Sequence, residues 1–209
     1  MTEPDVVPAA GRCIPAEGLD GWRTIGVAIP IPDPYGTELR RWRESFGDLL
    51  AGAIPTHLTL LPPTPVEAAR QAAIEEHLRG VAASERPFSI RLRGTATFRP
   101  VSPVVFVALA EGIGDCGRVE RKVRSGPLHR ELRFPYHPHV TVAHEVGEEM
   151  LDRAFKELSD YDARFCVWGF SLYEHGVDAV WRPRQDFPFA ADNRGRRRLP
   201  SGQQGTDHV

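Results

Sequence analysis

The stretch PTHLTLLPP, residues 55–63, places a histidine two positions before a threonine inside an otherwise apolar run. In a β-strand alternate side chains point to the same face, so His57 and Thr59 share one face while the neighbouring leucines point to the other. The same pattern returns in HPHVTVAHEV, residues 137–146. These stretches are either two strands that each contain a histidine or two halves of one site.

The two histidine-containing stretches occupy matching places in an internal repeat. An offset of 82 residues aligns His57 with His139 and Thr59 with Thr141, and it also aligns the apolar residues between them. A helical pattern follows each stretch at an equivalent position. Such self-similarity predicts a duplicated architecture.

A second alignment extends the repeat. At an offset of 75, RLRGTATF (91–98) lies over CVWGFSLY (166–173). Each unit then has the order strand, helix, strand, helix, strand, with its outer strands shared or exchanged between units. We therefore expect an α/β (α+β) fold over residues 21–189, a single bilobal domain in which two antiparallel-rich sheets with outer helices face a central cleft.

Apolar periodicity and turn residues predict the individual elements. Strands are expected at residues 22–32, 56–62, 88–98, 103–110, 137–145, 163–174 and 177–187, and helices at 36–52, 64–82, 118–128 and 147–161. The helix at 64–82 is predicted from Thr64 as its N-cap, Pro65 at the first helical position and Glu67 completing a capping box.

The composition is that of an ordinary globular protein and argues against several functions. The 209 residues are 41% apolar and 26% charged, and the formal net charge of −2 gives no basic excess for duplex DNA. No run approaches the roughly 18 apolar residues of a membrane helix, and the first residues lack the pattern of a signal peptide. We expect a cytoplasmic monomer without membrane association.

The two ends of the sequence differ from its body. Residues 1–20 are rich in Pro, Ala and Gly, and residues 190–209 have one basic cluster, RGRRR, and no apolar periodicity. The first segment is expected to be weakly ordered and the second to be a flexible basic tail that is solvated or touches RNA. The three scattered cysteines predict neither a disulfide framework nor a zinc knuckle and are expected to be packing residues or free thiols: Cys13, Cys116 and Cys166.

Two histidines and two hydroxyls facing one another suit displacement at phosphorus. That reaction needs an attacking and a leaving oxygen roughly in line, so one imidazole can take a proton from water while the other gives one to the leaving alkoxide. Histidine serves both roles because its pKa lies near neutrality. Threonine hydroxyls can hold the equatorial phosphate oxygens. This chemistry requires neither a metal nor another cofactor.

The paired motifs resemble those of the 2H phosphoesterase superfamily, which contains bacterial 2′-5′ RNA ligase proteins and RNA 2′,3′-cyclic phosphodiesterases. The resemblance is carried by His57-Leu58-Thr59-Leu60 and His139-Val140-Thr141-Val142, with further similarity in YHPHVTVA (136–143) and TFRP (97–100), and it covers roughly residues 22–189. It implies a bilobal fold with a central cleft, and hydrolysis of a cyclic or linear nucleotide phosphodiester at an RNA end or in a small nucleotide.

The resemblance also implies roles for single residues. His57 and His139 match the family's general acid and base, in an order the sequence leaves open, and Thr59 and Thr141 match its phosphate-binding hydroxyls. The motifs are flanked by few Arg or Lys residues, which is a departure from the family. Further candidates for substrate contacts are Phe98, Arg99 and Tyr136, with Arg133 as a second basic candidate.

Three alternatives remain open at this stage. His137 and His139 would share a strand face and suggest a metal site, but His144 would point to the opposite face and no acidic residue stands at a familiar ligand spacing. The same cleft could bind an RNA end or nucleotide without turnover. Finally, RNA ligation is the reverse of the expected hydrolysis and would use the same residues.

Overall fold

A computed structural model describes residues 21–178 and 180–190 of the chain. The strands are β1 Trp22–Pro30, β2 His57–Glu67, β3 Phe88–Thr97, β4 Val104–Glu111, β5 His139–His144, β6 Asp162–Val167, β7 Gly169–His175 and β8 Trp181–Pro188. The helices are α1 Tyr35–Ser45, α2 Gln71–Ala83, α3 Ile113–Val123 and α4 Glu148–Glu157. The expectations for residues 1–20 and for the basic cluster of the tail fall outside the described residues, as does Cys13.

The strands form two antiparallel four-stranded sheets that confirm the duplicated α+β architecture. The first sheet has the order β2-β1-β7-β8 and the second has the order β5-β4-β3-β6. The two histidine-containing strands are therefore edge strands at equivalent positions. The strands aligned at the offset of 75, β3 and β7, are each third in their sheet. Strand β3 comes after the first histidine-containing strand in the chain, yet it pairs within the second sheet.

The two halves interlock beneath the histidine-containing strands. Helix α1 belongs to the first repeat but packs on β5, whereas α3 belongs to the second repeat and packs on β2. The alternate side chains of both strands fill this shared core and are at most 1% exposed: Leu58, Leu60, Val140 and Val142. The strand alternation therefore directs the leucines and valines into the core and the His and Thr side chains to the opposite face.

The predicted helix at 64–82 is wrong in its first half. Residues 64–67 continue strand β2, where Thr64 pairs with Ile25 and Glu67 pairs with Trp22, and α2 begins only at Gln71. The capping signals are overridden because Val66 is buried in the core of the sheet. Proline is tolerated here because β2 is an edge strand with one side free of ladder hydrogen bonds.

Other predicted boundaries also shift, and the single strand predicted at 163–174 is wrong, because it is divided between β6 of the second sheet and β7 of the first. The first helix ends at Ser45 instead of reaching residue 52, and the third runs from Ile113 to Val123 instead of covering 118–128. The third helix starts early because Gly112 adopts a φ of 88°, a left-handed conformation that turns the chain sharply out of β4. None of the helices in the described part of the chain is both long and apolar enough to span a membrane.

A buried ion pair holds the loop that leads into β2. The Nε of Arg43, at the end of α1, donates to Asp48 Oδ2 at 2.8 Å, and its NH1 group donates to the carbonyl of Ile54 at 2.7 Å. Both charged side chains are less than a tenth exposed. The second repeat has a counterpart in Arg124, which follows α3 and donates to the carbonyl of Arg130. In each half, an arginine at the end of a helix thus fixes the loop before the histidine-containing strand.

We expect Arg43→Met to lower the free energy of unfolding by about 3 kcal/mol, because it leaves Asp48 buried without its partner. The matched control is Arg40→Met on the same helix, which removes an exposed pair with Glu44 and should cost less than about 1 kcal/mol. Urea unfolding of both variants measures the difference. Equal small losses in the two variants would contradict a structural role for the Arg43–Asp48 pair.

Candidate active site

His57 and His139 are held in the same way in the two halves of the molecule. The Nδ1 of His57 lies 2.6 Å from the carbonyl oxygen of Pro55, and the Nδ1 of His139 lies 2.7 Å from the carbonyl oxygen of His137. A carbonyl only accepts, so each Nδ1 must carry the hydrogen. In the neutral imidazole this leaves Nε2 as the acceptor, facing away from the backbone.

The two imidazoles belong to one electrostatic site. Strands β2 and β5 lie against each other at the edges of their sheets, and the charge of His139 is felt at His57. Burial is the largest cause that lowers the pKa of His57, to about 4, and the charges of Arg43 and His139 lower it further against the opposing bond to Pro55. Burial also lowers the pKa of His139, with a smaller contribution from His137. Both rings therefore favour the neutral state at pH 7.

Thr59 and Thr141 each lie two residues after a histidine, on the same face of the strand. Both are half-buried, and neither hydroxyl has a hydrogen-bond partner within residues 21–178 and 180–190. Each hydroxyl is therefore free to donate to an oxygen of a bound molecule. The two threonines therefore occupy matching positions in the two halves.

The second sheet contributes an aromatic side to the site. The ring of Phe98 meets His139 edge-on at 4.9 Å between centroids and lies 4.5 Å from Phe106. His137 completes the group, with its ring 6.3 Å from that of His139. Phe98, expected as a substrate contact, is thus placed directly against a candidate catalytic residue.

The first sheet contributes an indole that sequence reasoning missed. Trp181 of β8 stacks on His57 with centroids 5.4 Å apart and planes inclined by 21°. The indole lies over Gly26, where a Cβ would stand only 2.5 Å from two of its ring atoms. The available signal was Gly26 itself, because a glycine inside a strand often marks the close approach of another group.

The remaining expected contacts are engaged elsewhere. The NH1 group of Arg99 donates to Glu148 Oε2 at 2.8 Å and to Asp152 Oδ1 at 2.7 Å, both on α4. The hydroxyl of Tyr136 donates to the carbonyl of Thr59 at 2.9 Å, and the pKa of this tyrosine is raised mainly by burial. Arg133 lies over the ring of Phe134, 5.4 Å from its centroid. Tyr136 thus links the two halves, and Arg99 links the β3–β4 turn to α4.

The described residues contain no cluster of ligands for the metal site that was considered from the sequence. Within residues 21–178 and 180–190, no group of three His, Cys, Asp or Glu side chains is arranged to hold an ion. His137 and His139 are close, but His144 is paired with Val104 at the far end of β5.

Comparison with known proteins decides the family. The sequence pattern of the 2′-5′ RNA ligase superfamily matches residues 31–179, most of the chain. The chain belongs to the 2′-5′ RNA ligase superfamily. This confirms the resemblance to the 2H phosphoesterases that the paired motifs indicated.

Individual relatives are distant. A Geobacillus kaustophilus protein named as a candidate phosphoesterase is 26% identical over 165 residues, covering 78% of this chain and 94% of that protein. A Bacillus licheniformis protein with the same type of name is 29% identical over 96 residues, which cover 46% of this chain and only 56% of that protein.

Solved structures share the fold. A crystal structure of a phosphoesterase has a TM-score of 0.61 at 18% identity, covering 80% of this chain and 98% of the other. E. coli LigT crystallised with 3′-AMP has a TM-score of 0.56 at 18% identity, with the same coverage. At this identity the likeness establishes the bilobal architecture and nothing finer.

Because Trp181 shields His57 from water, we expect Trp181→Leu to raise the pKa of His57 from about 4 toward 6.5. The change is measured by NMR titration of the His57 ring. Trp22→Leu is the control, since Trp22 is 45% exposed at the start of β1. An unchanged His57 pKa in folded Trp181→Leu protein would show that the indole is not the source of the desolvation.

Proposed function

We propose that this protein is a metal-independent phosphodiesterase that hydrolyses a cyclic phosphodiester, either a 2′,3′-cyclic phosphate at an RNA end or a small cyclic nucleotide. The observation that carries the proposal is the matched pair of imidazoles, each fixed through Nδ1 and each with Nε2 free. A binding module would have no need of two proton-transfer groups held in this manner.

The proposed reaction uses both imidazoles for proton transfer. Nε2 of one histidine takes a proton from water as its oxygen bonds to phosphorus, and Nε2–H of the other gives a proton to the ribose oxygen as its bond to phosphorus breaks. Thr59 and Thr141 donate hydrogen bonds to the non-bridging oxygens, whose charge must be held during transfer. RNA ligation would run the same steps in reverse, and the high concentration of water favours hydrolysis.

The proposed roles follow the order of proton affinity. His57 has its pKa lowered to about 4, so it is the neutral partner when a single proton is shared by the site. We therefore assign His57 as the general base and His139 as the general acid. The substrate class also agrees with the nucleotides in crystals of E. coli LigT, which include 3′-AMP and ATP.

Replacing either histidine by Ala should reduce turnover of a 2′,3′-cyclic nucleotide by about 10²-fold or more, because one proton transfer is lost. The double variant should fall little below the worse single variant, since residues that act as a unit are not additive. Thr59→Ala and Thr141→Ala should cost less each. Phosphorus NMR of the products gives the rate and the regiochemistry.

The control for these variants is His129→Ala, which changes an exposed histidine in the segment before β5. Circular dichroism confirms the fold, and a parallel assay in EDTA tests metal independence. Near-native turnover in folded His57→Ala or His139→Ala protein would refute the catalytic assignment, and activity that is lost on chelation and restored by one divalent ion would refute the metal-free mechanism.

The pH dependence should be a bell with an acidic optimum. The base must be neutral, so kcat/KM rises as the pH passes the His57 pKa of about 4. The acid must be protonated, so kcat/KM falls as the pH passes the His139 pKa, which lies below the ordinary value of 6.5. Since kcat/KM reports the free enzyme, its maximum should lie between these two values. A maximum above pH 7 would contradict the lowered pKa of His139.

A further inference from the structure

A groove of about 300 Å³ lies at one end of the first sheet, beside the candidate active site. It opens between the C-terminal end of β1 and the connection from β6 to β7, where the chain crosses from the second sheet to the first. The side chains that matter for its chemistry are Pro30, Trp168, Ser171 and Asp186. Its volume is at the lower end of the range for small-molecule sites, which suits one planar group.

The groove begins one strand away from His57. Pro30 lines it and is the cross-strand partner of His57 in the first sheet. Ser171 lies two strands away from Thr59, because Ala28 of β1 pairs with Thr59 on one side and with Ser171 on the other. With strands about 4.8 Å apart, Ser171 lies about 10 Å from Thr59. A nucleotide spans a comparable distance between its phosphate and the far edge of a purine.

The polar end of the groove is negative. Ser171 is 4% exposed and its hydroxyl donates to Asp186 Oδ1 at 2.6 Å. In the described part of the chain Asp186 Oδ2 has no hydrogen-bond partner, and Arg184, two residues earlier in β8, is paired with Glu174. A carboxylate in this state accepts N–H groups and repels phosphate. The groove is therefore suited to a base and unsuited to the sugar-phosphate chain.

The apolar wall is an exposed indole on a fixed turn. Trp168 is 67% exposed, and its carbonyl accepts the N–H of Phe189 at 2.7 Å. The next residue, Gly169, approaches β8 so closely that a Cβ would stand 2.4 Å from the carbonyl oxygen of Phe187. The turn is thus packed tightly against β8 while the indole face remains available for stacking.

We propose that this groove binds the nucleobase of the substrate, with Trp168 stacking on the base and Asp186 accepting its N–H groups. Guanine is the favoured base, because its N1–H and N2–H donors are adjacent and match a carboxylate. This subsite rests on the proposed function for its substrate. It adds an orientation in which the base lies on the His57 side of the phosphate.

The test compares the four nucleoside 2′,3′-cyclic monophosphates on the intact protein. The native enzyme should show its lowest KM for the guanine substrate. Asp186→Asn should raise that KM about tenfold and raise the KM of the uracil substrate less, since one base contact discriminates by roughly this factor. Trp168→Leu should raise all four KM values about tenfold, because stacking tolerates every base. Controls are Asp160→Asn and Trp22→Leu, both at exposed positions outside the groove.

Binding of 3′-GMP and 3′-AMP by calorimetry separates this inference from the proposed function. If no cyclic nucleotide is hydrolysed but 3′-GMP binds and is weakened by Asp186→Asn, the subsite stands and the hydrolytic function fails. If hydrolysis proceeds with the same KM in native, Asp186→Asn and Trp168→Leu proteins, the function stands and the subsite is overturned. Absence of both turnover and binding overturns both.

Discussion

The shared core beneath the two edge strands is the constraint on which the site depends. Leu58 and Leu60 from one half and Val140 and Val142 from the other are almost fully buried, between helices that belong to the opposite halves. Truncating one such leucine to alanine typically costs about 2–5 kcal/mol. A slip of either strand by one residue would put its histidine in the core and expose a leucine of β2 or a valine of β5 to water. Hydrophobic burial therefore fixes the register and, through it, the direction of both imidazoles.

The two halves differ in the side chains that surround the paired histidines. The backbone and the Nδ1 hydrogen bonds of the two histidines are nearly equivalent, but their surroundings are not. His57 is covered by the indole of Trp181 on β8, whereas His139 meets the ring of Phe98, just past the end of β3. A symmetric pair of rings would have equal proton affinities and no preferred direction of transfer. The proposed division into one base and one acid rests on this difference in surroundings.

The sequence was sufficient to predict those features of the structure that depend on local residue patterns. Strand alternation at residues 57–60 and the repeat at an offset of 82 were enough to predict two equivalent strands, each with its histidine and threonine on one face. Local capping signals at Thr64 failed because pairing with β1 and burial of Val66 outweighed them. Trp181 was missed because it reaches His57 through pairing of β8 with β7 and of β7 with β1, and no short-range pattern reports such a contact. The proposed roles of His57 and His139 follow from the pattern, but their order depends on burial, which only the fold reveals.

The lowered pKa values have a consequence for how such a site would work. With both imidazoles neutral at pH 7, the free site holds no proton to give to a leaving alkoxide. A phosphodiester anion placed between the rings favours the protonated form, because an opposite charge within a few ångströms raises the pKa of histidine. Burial lowers the pKa of His57 to about 4, so His57 is the ring that we expect to stay neutral. Binding of the anion would therefore supply both the substrate and the condition that protonates the acid, while the base stays neutral beneath Trp181. A neutral ligand of the same shape would bind without that change in protonation.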